Sequence, residues 1–410
     1  MIIIGDDWAE GHHDIEMMSP HGEVLTRFRV TEDVDGLEEL LSEVHKYTTD
    51  DEVVVGIERD NGPWVTALRG YGFTVFAINP VQSARCRTRF SLAGAKSDIG
   101  DAHVLADMVR TDRQHLRQVA EDTLEAEGLK ILTRTHKSLI WEHNRHLNRL
   151  RYNLIQYFPA ALEAFPDLSS PESVELLTKA PTPSRAADLT ITQIKAALRR
   201  AHRRSIDERA PKIRATLHAP GKLGLLGSLE AGHAAATVAT LAVLATLTTQ
   251  IEALKEQVTT AFADHPHAAI ITSLPGMGPV LGARVLAEFG DAADRYRSGK
   301  ARRNFAGTSP ITKASGKKTV VSRRYVHNDR LLDALTRQAF TAIRVSPGAR
   351  AYYDRQRRRG VEHNAALRHV ANRFVGILHG CLKSGVLYDE SVAWGAPARV
   401  DAMTERVDAA

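Results

Sequence analysis

Four carboxylates far apart in the chain sit where two strands end and one helix begins. Asp7 follows the apolar run Met1-Ile-Ile-Ile-Gly5, and Glu58 closes Val53-Val-Val-Gly-Ile57. Asp98 and Asp101 open a helical stretch that runs to Val109, and their spacing of three puts them on one helix face. Carboxylates crowded at such rigid positions repel one another unless cations neutralise them, and hard oxygen ligands suit Mg²⁺ or Mn²⁺. Divalent cations held in this way are the usual equipment for cutting phosphodiesters. Strand alternation lets only one of Asp6 and Asp7 face such a site, and Asp7 is taken as the ligand. Individually the residues have simpler uses, with Asp98 as a helix cap and Glu58 as a charge at a loop mouth.

A second candidate lies near the other end of the chain. Ser315 precedes Gly316 and stands between Lys313 and Lys317, so a phosphodiester beside it would lie in a positive field. A serine hydroxyl is a weak nucleophile until a base or a metal takes its proton, and no local His–Asp arrangement supplies one. Read alone, Ala-Ser-Gly-Lys is an ordinary turn. Ser309 competes, but Pro310 after it suggests a rigid turn. Arg302, Arg303, Lys313, Lys317, Lys318, Arg323 and Arg324 form a basic set suited to a phosphate backbone. In Pro275-Gly-Met-Gly-Pro279, between two short helices, Gly276 and Gly278 would let backbone N–H groups approach a phosphate, as in a helix–hairpin–helix.

The elements that must position these groups can be read from periodicity. Strands are expected at 2–5, 13–18 and 23–30, with His12 and His13 facing solvent and Ser19–Gly22 as a turn. A helix over 34–47, a strand over 53–58, a helix after Gly62-Pro63 and a strand over 73–78 follow. A meander of three strands and then alternating strand and helix is the order of a ribonuclease H-like α/β sheet. The middle reads as helical: a long basic helix over 122–157, a Pro- and Ser-rich surface excursion over 165–188, a basic helix over 191–217 and an Ala/Leu-rich helix over 229–262. The first and last of these have the spacing of antiparallel coiled-coil partners, within a chain or between chains. Arg134, Lys137, Arg145, Arg149 and Arg151 on the first could be a solvated face or could track phosphates; composition does not separate the two.

Bulk properties agree. A chain of 410 residues exceeds one ordinary core, and the pI near 9.1 favours a polyanionic partner. No run of about 18 apolar residues and no secretory signal is read, so a cytoplasmic protein without a membrane span is expected. Cys86 and Cys381 form no zinc spacing or disulfide framework, and no glycine-rich nucleotide loop is present.

The segments Ile4-Gly-Asp-Asp7-Trp-Ala, Gly56-Ile-Glu58 and Lys96-Ser-Asp98-Ile-Gly-Asp101-Ala resemble the acidic signature of the DEDD insertion-sequence transposases, the IS one-ten family, also called bridge recombinases. The resemblance continues at Leu274-Pro-Gly-Met-Gly-Pro279, Asn304-Phe-Ala-Gly-Thr-Ser-Pro310 and Ser315-Gly316, in the family's order. It implies a RuvC-like catalytic domain over 1–115 whose metal ligands are Asp7, Glu58, Asp98 and Asp101. A helical coiled-coil region over 116–264 would follow, with an insertion near 165–220, and then a mostly α transposase domain over 265–395 and a flexible tail over 396–410. The serine of the Ser-Gly motif, Ser315, would join covalently to DNA in an active site shared with the acidic domain. Donor and target DNA, a noncoding guide RNA, a dimer or tetramer and association with the bacterial nucleoid are further implications. Two other readings stay open at this point: a metal-dependent, structure-specific nuclease in which Ser315 is structural, and a nonenzymatic nucleic-acid-binding protein.

Overall fold

A computed structural model describes residues 1–89, 98–219, 225, 227–293, 295–316 and 318–395; of Asp98 and Ile99 it describes the backbone alone. The chain divides into two compact units, Met1–Glu121 and Asp122–Ala410.

The first unit is built on a mixed sheet of order β3-β2-β1-β4-β5-β6. Strands β1 (Ile2–Ala9), β2 (His12–Met18) and β3 (Val24–Thr31) form the antiparallel meander, and β4 (Val53–Ile57) and β5 (Thr74–Ala77) extend it in parallel from β1. The two-residue β6 (Arg117–Gln118) pairs antiparallel with β5 and carries the unit past residue 115. Helices α1 (Val34–His45) and α2 (Pro63–Gly70) cover one face, with Leu40, Val44, Trp64, Val65 and Leu68 packed on Ile2, Ile4, Val53, Val55 and Ile57. After the short α3 (Pro80–Arg87), α4 (Asp98–Asp112) covers the other face, with Val104, Leu105 and Val109 on Ile3, Val54 and Phe76. Strands buried on both faces read as unbroken apolar runs, which is why β1 and β4 were plain in the sequence.

Two glycines decide how closely α4 lies. Gly5 and Gly56 are register partners on adjacent strands. A Cβ on Gly5 would overlap the Ala102 carbonyl oxygen and lie 2.6 Å from the Ala106 nitrogen; one on Gly56 would lie 2.6 Å from Val109 Cγ2 and 2.8 Å from the Leu105 oxygen. The pair forms a trough in which the helix backbone rests directly on the sheet.

The second unit is helical. Its long pair is α5 (Leu124–Tyr157) and α11 (Ser228–Ala263), which pack along one another. Between them come α6 (Pro159–Ala164), α7 (Pro171–Lys179), α8 (Pro183–Ala187), α9 (Ile191–Arg200) and α10 (Ile206–Leu217). This segment differs from expectation twice. The stretch over 165–188 is no surface excursion: Phe165, Leu168, Leu176, Leu177 and Ala180 are buried in a core shared with Leu150, Leu154, Ile194 and Ile213. Two of its prolines, Pro171 and Pro183, start helices rather than prevent them, at the first positions of α7 and α8. The expected single helix over 191–217 breaks at 201–205, where His202 and Ser205 take positive φ of 51° and 53°.

α11 bears on the membrane expectation without overturning it: it is long and apolar enough to cross a membrane by length and composition alone, a test that the core helix of a globular protein also passes. Its buried side, including Leu241, Leu244, Val258 and Phe262, serves the helical cores.

The chain continues with α12 (Ala268–Ser273), α13 (Pro279–Phe289), α14 (Gly299–Phe305), the hairpin β7 (Ile311–Ser315) and β8 (Lys318–Ser322), then α15 (Asp329–Val345), α16 (Pro347–Arg358), α17 (His363–Ser384) and α18 (Glu390–Trp394). The hairpin is the one β element among the described residues of this otherwise helical region. Phe289, Leu335, Phe374 and Leu378 are among the residues of its core. The tail over 396–410 lies outside the described residues.

Candidate active site

Alternation along β1 sends Ile3, Gly5 and Asp7 to the α4 face, and Ile2, Ile4 and Asp6 to the other. On β4 the α4 face carries Val54 and Gly56, so Glu58, two residues on, continues that side. Asp6 pairs with Ile57 in the parallel register, which puts Asp7 beside Glu58 at the same sheet end. Each acid follows its trough glycine by two residues, and the first turn of α4, resting on that trough, brings Asp101 to the same face. Asp101 is 6% exposed and ion-paired with Arg87 of α3. Glu58 accepts a hydrogen bond from the hydroxyl of Ser83, also on α3. Asp98 opens α4, but its side chain lies outside the described residues.

Asp6 has a different task. It is fully buried, accepts from Trp64 Nε1 at 2.7 Å and lies 2.7 Å from His13 Nδ1. His13 stacks on Trp64 with ring centroids 4.1 Å apart. The expectation that His13 faces solvent therefore fails. The strand begins one residue earlier than expected, at His12, and its alternation turns His13 toward α2.

Sequence reasoning missed more charge on the α4 face. Asp14 is the register partner of Asp7, and Glu16 of Gly5. One strand further, Arg29 faces Asp14 and Arg27 faces Glu16. Arg29 grips Asp14 through Nε at 2.9 Å and Nη2 at 2.8 Å, while Arg27 Nε donates to Glu16 at 2.7 Å. His103 of α4 lies 2.6 Å from the same Glu16. The signal was present as Asp-x-Glu facing Arg-x-Arg, two period-two patterns in strands already recognised.

The donor chemistry of Asp7, Glu58 and Asp101 suits a hard divalent cation, since all are carboxylates on one side of one layer. Among the described residues, however, no three His, Cys, Asp or Glu side chains are gathered closely enough to hold an ion as they stand. Arg87 and Ser83 take up oxygens that a cation would use.

In the second unit Ser315 ends β7 at the tip of an exposed hairpin and pairs with Lys318. Gly316, with φ +55°, makes the turn. Among the described residues none hydrogen-bonds the Ser315 hydroxyl. Ser309 instead donates to Asn304 Oδ1 at 2.6 Å. Lys313, Lys318 and Arg323 are exposed and Arg303 and Arg324 half-buried, while Lys317 lies outside the described residues. Arg302 does not present its charge to solvent. It is 7% exposed, with its guanidinium carbon 4.6 Å from the Tyr296 ring centroid and 5.1 Å from that of Phe289, and burial lowers its pKa. Gly276 (φ +77°) also has a packing duty, for a Cβ there would lie 2.7 Å from the Gln338 carbonyl oxygen of α15. Gly278 faces open space at the start of α13.

On α5, Arg134 holds the buried Glu288 through two hydrogen bonds of 2.9 and 2.8 Å. Burial alone would raise the Glu288 pKa, but these bonds, Asn328 and the Arg134 charge lower it. Lys137 Nζ lies 3.0 Å from Asp333, which also accepts from Arg284 at 2.7 Å. These two cations of α5 are thus structural partners of α13 and α15.

A ribonuclease H-like α/β domain with acids at its strand ends and a basic helical second unit define an enzyme that works on polynucleotides. Family models make the class specific: one described as "Transposase", for the DEDD type, matches residues 4–159, and one described as "Transposase IS116/IS110/IS902 family" matches residues 268–354. The chain is 39% identical over 400 residues to the protein assigned as the transposase of the IS117 mini-circle in Streptomyces coelicolor, covering 96% of each. It is 30% identical over 323 residues to the uncharacterized 43.6 kDa protein of insertion element IS110 from the same organism, covering 73% of this chain and 74% of that one. With the 42 kDa protein of IS900 from Mycobacterium paratuberculosis it shares 28% identity over 400 residues. The chain belongs to the IS116/IS110/IS902 transposase family and is a DNA transposase.

Proposed function

We propose that this transposase moves an insertion sequence through a covalent serine–DNA intermediate, with a divalent cation, Mg²⁺ or Mn²⁺, held by Asp7, Glu58, Asp98 and Asp101. The observation that carries this reading is the shared face of Asp7, Glu58 and Asp101, set by the Gly5–Gly56 trough. A bound divalent cation would neutralise charge on the phosphate and favour the deprotonated form of an attacking hydroxyl. The four carboxylates hold that charge in place. Asp101 gives up Arg87, and Glu58 gives up Ser83, when they do so.

Ser315 Oγ gives up its proton and attacks the phosphorus; an Oγ–P bond forms, one P–O bond of the DNA breaks, and the leaving oxygen takes up a proton, so that no net proton is gained or lost. The phosphodiester energy is kept in the serine ester, so rejoining needs no nucleotide cofactor. Lys313, Lys317, Lys318, Arg303, Arg323 and Arg324, with the Gly278 turn, hold donor and target DNA. Family resemblance adds a noncoding guide RNA, bound partly by the basic helices of the middle region, and an oligomer as the working unit.

The test is a denaturing gel of the full chain incubated with donor DNA. A protein-linked strand that requires a divalent cation is expected. Cation-dependent cleavage without a linked strand would instead favour the nuclease reading.

A further inference from the structure

Beside the acidic end of the first unit lies a cavity of about 250 Å³ lined by Asp14, Ile15, Glu16, Arg27, Phe28, Arg29 and Ala102. It runs from the edge strand β3 to α4, where Ala102 is the neighbour of Asp101. Its charges are not a random mixture. The two carboxylates are buried, with side chains 1% and 11% exposed for Glu16 and Asp14, while their partners Arg27 and Arg29 are 46% and 55% exposed. Negative charge therefore lies at the floor and positive charge at the mouth, so the groove offers guanidinium groups to whatever enters. Each arginine is also held in place: Arg29 through a bidentate pair, and Arg27 through Nε. A guanidinium fixed by a buried carboxylate has less freedom to lose when it meets a phosphate. The two arginines stand two residues apart on an extended strand, a separation of nearly 7 Å that suits successive phosphates of one extended strand.

We infer that this groove is a backbone-binding site for the DNA strand being cut, with Arg27 and Arg29 clamping two successive phosphates on one side of the scissile one. The inference rests on the reading that DNA is cut at Asp7, Glu58 and Asp101. The row Glu58, Asp7, Asp14, Arg29 lies across adjacent strands on one face, so a strand leaving the acids over β2 reaches the arginines next. The cavity has room for the sugar–phosphate of a single nucleotide and none for a duplex.

The experiment measures binding of a fluorescein-labelled single-stranded DNA oligonucleotide to the full chain by anisotropy, in EDTA, across a salt series. Arg27→Gln and Arg29→Gln should each weaken binding severalfold and together about tenfold, and each should make the log–log salt slope shallower by about 0.7. Arg113→Gln, which removes an equally exposed arginine ion-paired with Glu52 on the same unit, should leave both unchanged. If Arg27→Gln does not fold, Arg29→Gln alone carries the same readings. Unchanged affinity and slope in the arginine variants overturn the inference, as does an equal loss in Arg113→Gln, or a loss confined to an RNA oligonucleotide of the same sequence. Because EDTA removes cleavage from the measurement, the two readings fail separately. Arginine variants that bind normally beside a wild type that forms the serine-linked strand remove the groove alone. A wild type that binds as described but never forms that strand removes the proposed chemistry alone.

Discussion

Gly5 rests against the carbonyl of Ala102 with no room for a Cβ between them, and this single approach sets where the first turn of α4 meets the sheet. Asp101 is the residue before Ala102, and Asp7 lies two residues beyond Gly5. The closeness of helix and strand at one point thus governs the meeting of two acids that the sequence separates by 94 positions.

Gly5→Ala tests this directly. The new methyl group must push α4 off the sheet, at a cost of about 3 kcal/mol. Thermal melting of the full chain should show the loss, and cation-dependent cleavage should fall even in the fraction that remains folded.

Adjacent aspartates should separate stability from chemistry. Asp6→Ala leaves Trp64 Nε1 and His13 without their buried acceptor and should cost about 3 kcal/mol. Asp7→Ala or Glu58→Ala should keep the melting temperature and DNA affinity, yet lower cleavage by about a hundredfold or more at saturating Mg²⁺. Equal loss of stability in all three variants would contradict the division.

The two serines of the second unit should differ as sharply. Ser315→Ala is expected to abolish the protein-linked DNA strand on a denaturing gel while DNA affinity persists. Ser309→Ala removes only the hydrogen bond to Asn304, should cost about 1 kcal/mol of stability, and should leave the linked strand in place.

Asp333 supplies a pH dependence with a defined sign. Burial would raise its pKa, but hydrogen bonds from Arg284 and Lys137 and their charges bring it from an ordinary 3.8 to about 2. A depressed carboxyl pKa gives stability that is present above the unfolded value and lost as pH falls through the folded one. The melting difference between wild type and Asp333→Asn should therefore hold above about pH 4 and shrink between 4 and 2. At neutral pH it should correspond to about 1–2 kcal/mol once solvent screening is allowed for.

Much of the first unit could be read from the chain because each element carries its own local signal. Apolar runs marked β1 and β4, alternation marked β2 and β3, and helical spacing marked α1. The acids were legible because Asp7 and Glu58 follow the apolar runs of β1 and β4, while Asp98 and Asp101 lie in the first turn of α4. His13 was misread because it was assigned to solvent; as a residue of β2 it lies on the face that α2 covers, where Asp6 and Trp64 take it up. The segment over 165–188 was misread because prolines that open helices resemble prolines that prevent them until the core beneath Leu176 and Leu177 is seen.

Residue order alone determined the family, the acidic quartet as candidates, Ser315 as a candidate and the basic character of the second unit, since all of these are contained in type and spacing. Tertiary structure decided which aspartate of a neighbouring pair is structural, which arginines are exposed and which are buried, and that Asp14, Glu16, Arg27 and Arg29 share a face with Asp7. Those outcomes depend on strand register and on how closely a helix can lie on a sheet. Both are set by backbone pairing and steric fit between segments distant in the chain, where no local pattern carries the information.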